Sequence, residues 1–600
     1  MSRLAARIED AISTIALIAM AVIPLAEIVL RRAFGIGIPG AGPIVQHLVL
    51  WVGFLGAAIA AREGKLLALA SGTFIPEGRW RSAAAIVSAA VASCMAALLA
   101  GGGVELFLSE REAQSSFGAG IPTWIAQIGL PLGFALIALR LVWHASPRWT
   151  GRALAALGLV AAGVLMWSPS LIEGQPAWPL LALIVAAAAL GAPIFSILGG
   201  AAVVLFMIDG VTPAAVLVQT YSLSTSPTLP AIPMFTLAGF LLSEGGASSR
   251  LLRVFRAFFG WIPGGTAVVC AVLCSFFTVF TGGSGVTILA LGGLLFPALV
   301  QDGYRERFSL GLVTASGSLG LLLPPALPLI FYGIVAQLPI EDLFIAGILP
   351  GILLTTLIAA WGVREGIVTG AGRQRFAWNE AGAAMWAAKW ELAMPFIVLG
   401  VLFSGVATAV EASAVTALYA LLAQTLVHRD VPTVRDLLRV FSECVGVVGG
   451  VLVILGVAVG LTSYLVSAQV PARLLVWTQA HITSQIAFLF GLNLFLLVVG
   501  CLMDIFSAIV VVVPLIVPLG VAFGVSPIHL GIIFIANLEL GYLTPPVGLN
   551  LFLASYRFKR SMMEVTLAAL PMLGILGIGV LVITYVPWLT LGILRMLGRI

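Results

Sequence analysis

Ser316-Gly-Ser-Leu-Gly-Leu-Leu-Leu-Pro-Pro325 decides how this chain is read, because it returns 221 residues later as Asn537-Leu-Glu-Leu-Gly-Tyr-Leu-Thr-Pro-Pro546. Leu319-Gly320 pairs with Leu540-Gly541, and Pro324-Pro325 pairs with Pro545-Pro546. Around them Pro297 matches Pro518, Gly303 matches Gly524 and Phe331 matches Phe552, all at that one offset. A Gly- and Pro-rich apolar chain gives one or two such pairs by chance. A double proline with five further identities at one spacing marks an internal repeat. The repeats cover about 229–360 and 453–590.

Each copy carries a second interruption upstream. Thr281-Gly-Gly-Ser-Gly-Val-Thr287 lies between apolar segments, and Gly500-Cys-Leu-Met-Asp-Ile-Phe-Ser507 takes its place in the second copy, so that Gly283 corresponds to Asp504. Proline removes a backbone donor and clashes with the carbonyl one turn back. Hydrocarbon cannot satisfy the carbonyls so freed. Carbonyls and hydroxyls suit a small hard cation, broken helix N-termini face an anion, and glycines let backbone approach a ligand. The four interruptions therefore describe a site for sodium and a carboxylate-bearing solute, at the meeting point of repeated broken helices.

Composition sets the solvent. Of 600 residues, 61% are apolar and 9% charged, whereas a soluble fold carries roughly a quarter charged residues. The chain is an all-α polytopic membrane protein in contact with a lipid bilayer. A net charge of +5 with no basic stripe gives no reason to expect a nucleic-acid partner. Five cysteines in apolar runs form no disulfide framework or zinc pattern. No phosphate-binding loop is present, so ATP is not the energy source.

The first 145 residues read as a four-helix unit with spans at 11–30, 43–61, 83–103 and 123–143. Basic residues in the 62–82 loop place that loop and the N-terminus in the cytoplasm. The 104–122 segment, with Glu105, Glu110, Arg111 and Glu112, reads as an outward loop. Residues 146–175 read as a connector containing a fifth span at 153–170, and 176–600 as a larger unit. Glu411, Asp504 and Glu539 stand in apolar runs, where a carboxylate is costly unless paired or hydrated. Glu411 reads as structural, satisfying freed backbone donors. Asp504 reads as a cation or solute ligand, with a helix cap as its alternative.

These stretches resemble a known family. LLLPPALPLIFYG from Leu321, LTPPVGLNLF from Leu543, TAVEASAV from Thr408 and LMDIFSAIVVVVPLIVPLG from Leu502 are similar to the large membrane subunit of tripartite ATP-independent periplasmic (TRAP) transporters. VLRRAFGIGIP from Val29, LWVGFLGAAIAAREGK from Leu50 and IPTWIAQIGLPLGFALIALRLV from Ile121 resemble the small membrane subunit. The resemblance implies fused subunits in a bacterial inner membrane, and an inverted-repeat transporter with re-entrant hairpins working as an elevator. It implies sodium-coupled import of a small organic anion handed over by a periplasmic solute-binding protein, with sodium as coupling ion, no other cofactor and no enzymatic activity.

Carried over by position, one sodium site would draw on Gly283, Ser284, Ser316, Gly317, Gly320 and Pro324. The other would draw on Asp504, Asn537, Gly541, Thr544 and Pro545. The solute would lie between the two tips, near Ser284, Gly285, Ala326, Asp504, Ser507 and Asn550. Pro325 and Pro546 would be structural. The chain departs from the family pattern at Ala326, where a Ser or Thr is frequent, which removes a hydroxyl from the solute region. Two rivals remain: a stand-alone sodium- or proton-coupled carboxylate carrier of related architecture, which would need no binding protein, and an intramembrane enzyme using Asp504 and Glu539, which would need no ion.

Overall fold

A computed structural model of the chain describes residues 3–68, 75, 78–372, 375–404, 407–545 and 548–600. Among them, twelve helices are long and apolar enough to cross a membrane. Lipid offers no partner for backbone N–H and C=O groups, so each span closes its hydrogen bonds within a helix.

Two compact units emerge. One comprises Met1–Met234 and Leu437–Arg473. Its helices Arg3–Phe34, Ala41–Glu63, Arg79–Ala113 and Gly129–His144 correspond to the first four expected spans, and Trp149–Trp167 to the fifth. They extend beyond the apolar windows. In particular, Glu105, Glu110, Arg111 and Glu112 do not lie in a loop. They form the last turns of Arg79–Ala113, a helix that runs on past its apolar window before Gln114, at φ 51°, ends it. The turn beyond is a short antiparallel pair, Ser116–Phe117 with Ile121–Pro122.

Small residues set the packing within this unit. Helices Ala41–Glu63 and Val434–Ser467 cross at Gly56 and Gly449, where a Cβ on Gly56 would stand 3.0 Å from the Gly449 Cα. Such contact between backbones is the attraction left to helices when lipid is as apolar as they are. Charge is buried in the same unit. Arg140 is 2% exposed, and its Nη2 donates to Glu9 Oε1 and Oε2 at 2.6 and 2.5 Å. Arg62 donates to Asp10 Oδ1 at 2.6 Å and lies 3.4 Å from Glu9 Oε2.

The other unit comprises Phe235–Asp436 and Leu474–Ile600 and holds both double-proline breaks. The repeat is visible helix by helix. Gly265–Thr281 and Ser284–Gln301 form a first hairpin, and Gln485–Leu502 and Ile505–Ala522 a second. Glu306–Ser316 and Leu327–Ala336 flank the first break, Pro527–Gly541 and Leu549–Phe558 the second. The second arms of the hairpins start 221 residues apart, as do the helices leading into the breaks.

The repeats also exchange partners. The second arm of the first hairpin packs on Leu549–Phe558, and the second arm of the second hairpin packs on Leu327–Ala336. At the latter contact the Phe331 and Phe506 rings lie 4.9 Å apart. Each tip is thus walled by the other repeat.

Two further features belong to this unit. Arg250 bridges the buried Glu391 (Nη2–Oε1 2.5 Å) and Asp430 (Nη2–Oδ2 2.8 Å), and Asp430 also accepts from the Gly246 N–H at 2.8 Å. Helices Trp378–Ala387 and Lys389–Phe403 meet at a 62° bend, with Trp378 and Trp386 exposed and the Lys389 ammonium 3.3 Å from the Trp386 ring centroid.

Candidate functional site

The first tip is a cluster of hydroxyls. Thr278 Oγ1 lies 2.8 Å from Thr287 Oγ1 and donates to the Gly317 carbonyl at 2.9 Å; Thr281 Oγ1 lies 3.2 Å from Thr287 Oγ1. These bonds tie the hairpin to the break that follows Ser316. Gly320 presses into the first arm so closely that a Cβ would lie 2.8 Å from the Thr278 Cβ, and a Cβ at Gly317 would lie 2.5 Å from Ile288 Cγ1 of the second arm. Among the described residues two hydroxyls here have no partner: Ser284 Oγ and Ser316 Oγ are both buried and unbonded. Gly283 is the N-cap of the second arm and brings no side chain to its free N–H groups. Ala326, fully buried, occupies the matching position before Leu327–Ala336.

The second tip uses the same backbone with other chemistry. Asp504 stands where Gly283 stands and caps Ile505–Ala522, its Oδ1 accepting from the Ser507 N–H at 3.0 Å. The Ser507 hydroxyl lies 2.9 and 2.6 Å from the two Asp504 oxygens. The neighbouring Ile505 N–H donates to the Tyr542 hydroxyl at 2.6 Å, and the Gly548 N–H to the Cys501 carbonyl at 3.2 Å. Gly541, the counterpart of Gly320, likewise meets the first arm, with a Cβ position 2.5 Å from the Gly500 Cα. Asn537 donates to Asn493 Oδ1 at 2.6 Å, which also accepts from Thr584 at 3.1 Å. Thr544 donates back to the Leu540 carbonyl at 3.0 Å, and Pro545 is exposed. Pro546 lies outside the described residues.

Asn550 crosses between the repeats. Its Nδ2 donates to the Thr314 carbonyl at 3.3 Å, and its Oδ1 is buried without a partner. Gly285 faces the same helix, with a Cβ position 2.5 Å from Leu553 Cδ1. Gly285 therefore packs on the helix that carries Asn550. Among the described residues no hydrogen bond joins Asp504 to Ser284 or Asn550; the Asp504 oxygens are engaged by Ser507. Glu539 is 1% exposed, and neither of its oxygens has a partner among the described residues. Pro324 and Pro325 are buried at the first break. Glu411 stands in a capping box: its Oε2 accepts from the Thr408 N–H at 2.8 Å, and Thr408 Oγ1 accepts from the Glu411 N–H at 3.3 Å.

Sequence reading missed Thr278, Asn493 and Tyr542 as members of this network. Asn493, a lone amide inside an apolar run, was the readable signal, since such a group needs a partner.

An unmet buried donor or acceptor costs about 1–3 kcal/mol. The hydroxyls of Ser284 and Ser316, the amide oxygen of Asn550 and the carboxylate of Glu539 are such groups, and all belong to the repeated tips and breaks. They are oxygen ligands of the kind that a hard cation or a polar solute requires.

Comparison with known proteins bears on the same stretches. Residues 181–589 match the family model "Tripartite ATP-independent periplasmic transporter, DctM component", and residues 20–151 match "Tripartite ATP-independent periplasmic transporters, DctQ component". This chain belongs to the TRAP transporter family. Its small and large membrane components are fused, and 152–180 lies between the two matches. The isethionate TRAP transporter permease protein DctMQ of Oleidesulfovibrio alaskensis is 33% identical over 482 residues, covering 79% of this chain and 75% of that protein. The C4-dicarboxylate TRAP transporter large permease protein DctM of Vibrio cholerae is 34% identical, covering 60% of this chain and 84% of that one. The ectoine TRAP transporter large permease protein TeaC of Halomonas elongata is 31% identical, covering 67% and 95%. This TRAP permease is a multi-pass inner-membrane secondary transporter and not an enzyme.

Proposed function

We propose that this TRAP permease imports a small organic anion together with sodium, after delivery by a separate periplasmic solute-binding protein. The observation that carries the reading is the set of buried, unpartnered oxygens on the repeated tips and breaks: Ser284, Ser316, Asn550 and Glu539. Sodium would be held by Gly283, Ser284, Ser316, Gly317, Gly320 and Pro324 in one copy, and by Asp504, Asn537, Gly541, Thr544 and Pro545 in the other. The solute would sit between the tips, near Ser284, Gly285, Ala326, Asp504, Ser507 and Asn550. With no Lys or Arg in the four interruptions, the anion would be met by the free N–H groups at Gly283, by hydroxyls and by the sodium ions themselves. The unit holding both tips would carry this cargo across as a body, in elevator fashion, with the N-terminus in the cytoplasm. Relatives named for isethionate, C4-dicarboxylates and ectoine support a small charged solute as the class.

The test is uptake into proteoliposomes of a panel of small organic acids, with and without the solute-binding protein encoded beside this chain. Uptake should require an inward sodium gradient and the loaded binding protein, and no ATP. Equal uptake with potassium in place of sodium would refute the coupling. Saturable uptake of free solute at micromolar concentration would instead favour a stand-alone carrier.

A further inference from the structure

The unit that contains the N-terminal helices holds a cavity of about 800 Å³ that the transport reading leaves unused. It is lined by Leu136, Arg140 and Trp143 of helix Gly129–His144, by Arg62, and by Trp149 and Arg152 of the connector helix Trp149–Trp167. Its lining combines three arginines with leucines, alanines and two tryptophans.

The arginine donors are underused. Arg140 is almost wholly buried and bonds to Glu9 only through Nη2; its Nε and Nη1 are buried with no partner among the described residues. Leaving a buried guanidinium N–H unmet is costly. Arg62 is occupied by Glu9 and Asp10. Arg152 donates only to the Ser146 carbonyl, at 2.9 Å, and lies over the Trp143 ring at 3.9 Å from its centroid. Two carboxylates thus stand against three guanidiniums, and among the described residues Arg152 has no carboxylate partner. The excess of donors calls for an anion with several oxygens, and the planar fork of arginine suits a phosphate.

The walls say which phosphate. Leu136, Leu139 and Ala156 continue the cavity along two membrane-spanning helices, a surface that an inorganic ion would leave bare. Trp143 and Trp149 line it and are exposed, as indoles are at the level of lipid headgroups. Basic pockets between spanning helices bind anionic headgroups for these reasons.

We propose that this cavity seats one anionic phospholipid, its phosphate on Arg140 and Arg152 and an acyl chain along the Leu136 wall. Arg152 and Ala156 lie in 152–180, the stretch between the two family matches. The seat is therefore completed by the segment that fuses the two components, and a lipid there would pin the connector helix to the last small-component helix.

The full-length protein, purified in a mild detergent and stripped of lipid, would be titrated with phosphatidylglycerol, phosphatidylcholine or inorganic phosphate, with bound lipid counted by native mass spectrometry and stability followed by thermal melting. Wild type should retain one phosphatidylglycerol with roughly tenfold preference over phosphatidylcholine, as one charge-assisted contact provides, and should melt higher with it. Arg152→Gln should lose that preference while melting as wild type does without lipid. Arg152→Lys should keep part of it. Arg140→Gln disturbs a buried ion pair, so Arg152 carries the decision. Equal retention of both lipids by wild type, unchanged preference in Arg152→Gln, or equal protection by millimolar inorganic phosphate would each overturn the proposal.

Discussion

The two hairpin tips share a backbone and differ in charge. Gly320 and Gly541 lie against the first arms of their hairpins in the same way, and the second arms begin at equivalent residues. Yet Asp504 supplies a carboxylate to its own helix N-terminus, whereas Gly283 leaves the equivalent N-terminus uncapped. A helix start carries about half a positive charge. At the second tip that charge is already answered from within. At the first tip it is surrounded by neutral hydroxyls and stays available. The repeat keeps the geometry that breaks the helices while the side chains differ: the second tip carries a resident carboxylate, and the first carries hydroxyls and an uncapped helix start.

This difference can be erased from either side. The largest effect is expected from Asp504→Asn, which keeps the cap geometry but removes the charge. Sodium-driven uptake should fall by roughly 100-fold, the loss of one or two charge-assisted contacts, with the protein still folded by thermal melting. Wild-type uptake in this variant would reduce Asp504 to a cap. Next comes Gly283→Asp, which makes the first tip imitate the second. The residue has extended backbone, φ −143°, and its Cβ position has Val286 Cγ2 at 3.9 Å as its near neighbour, so the substitution fits. It should stabilise the helix by a few tenths of a kcal/mol, while uptake falls roughly tenfold because a fixed carboxylate competes with the solute. Faster uptake would show that the first tip does not face the anion. The smallest effect is expected from Ser284→Ala and Ser316→Ala, each removing one neutral ligand among several. Apparent sodium affinity should weaken about three- to tenfold in each. An unchanged sodium titration in both would remove the first tip from cation binding.

Much of this was legible because glycine and proline leave marks in sequence. The double prolines, the single offset of 221 and the Gly283–Asp504 correspondence all follow from residues that constrain backbone. The Thr408-x-x-Glu411 spacing is a capping-box pattern that the sequence also carries, and the structure shows the box formed. The helix end at 104–113 was not legible. Hydropathy marks the apolar window, and this helix continues beyond that window. Nor could sequence show that each tip is walled by the opposite repeat, or that Arg250 collects Glu391 and Asp430. Those contacts join residues more than 100 positions apart, and no local spacing encodes them.

The bend between Trp378–Ala387 and Lys389–Phe403 has a mechanical consequence. Exposed indoles at Trp378 and Trp386, with an ammonium resting on one of them, resist both immersion in hydrocarbon and withdrawal into water. The elbow is a float, fixing the depth at which its unit rides. In a thinner bilayer the float must sink, drag the apolar rod Lys389–Phe403 to a steeper tilt, or pucker the surrounding leaflet, each at fractions of a kcal/mol per ångström. A unit hung from such a float feels the thickness of its membrane as a load on its own helices.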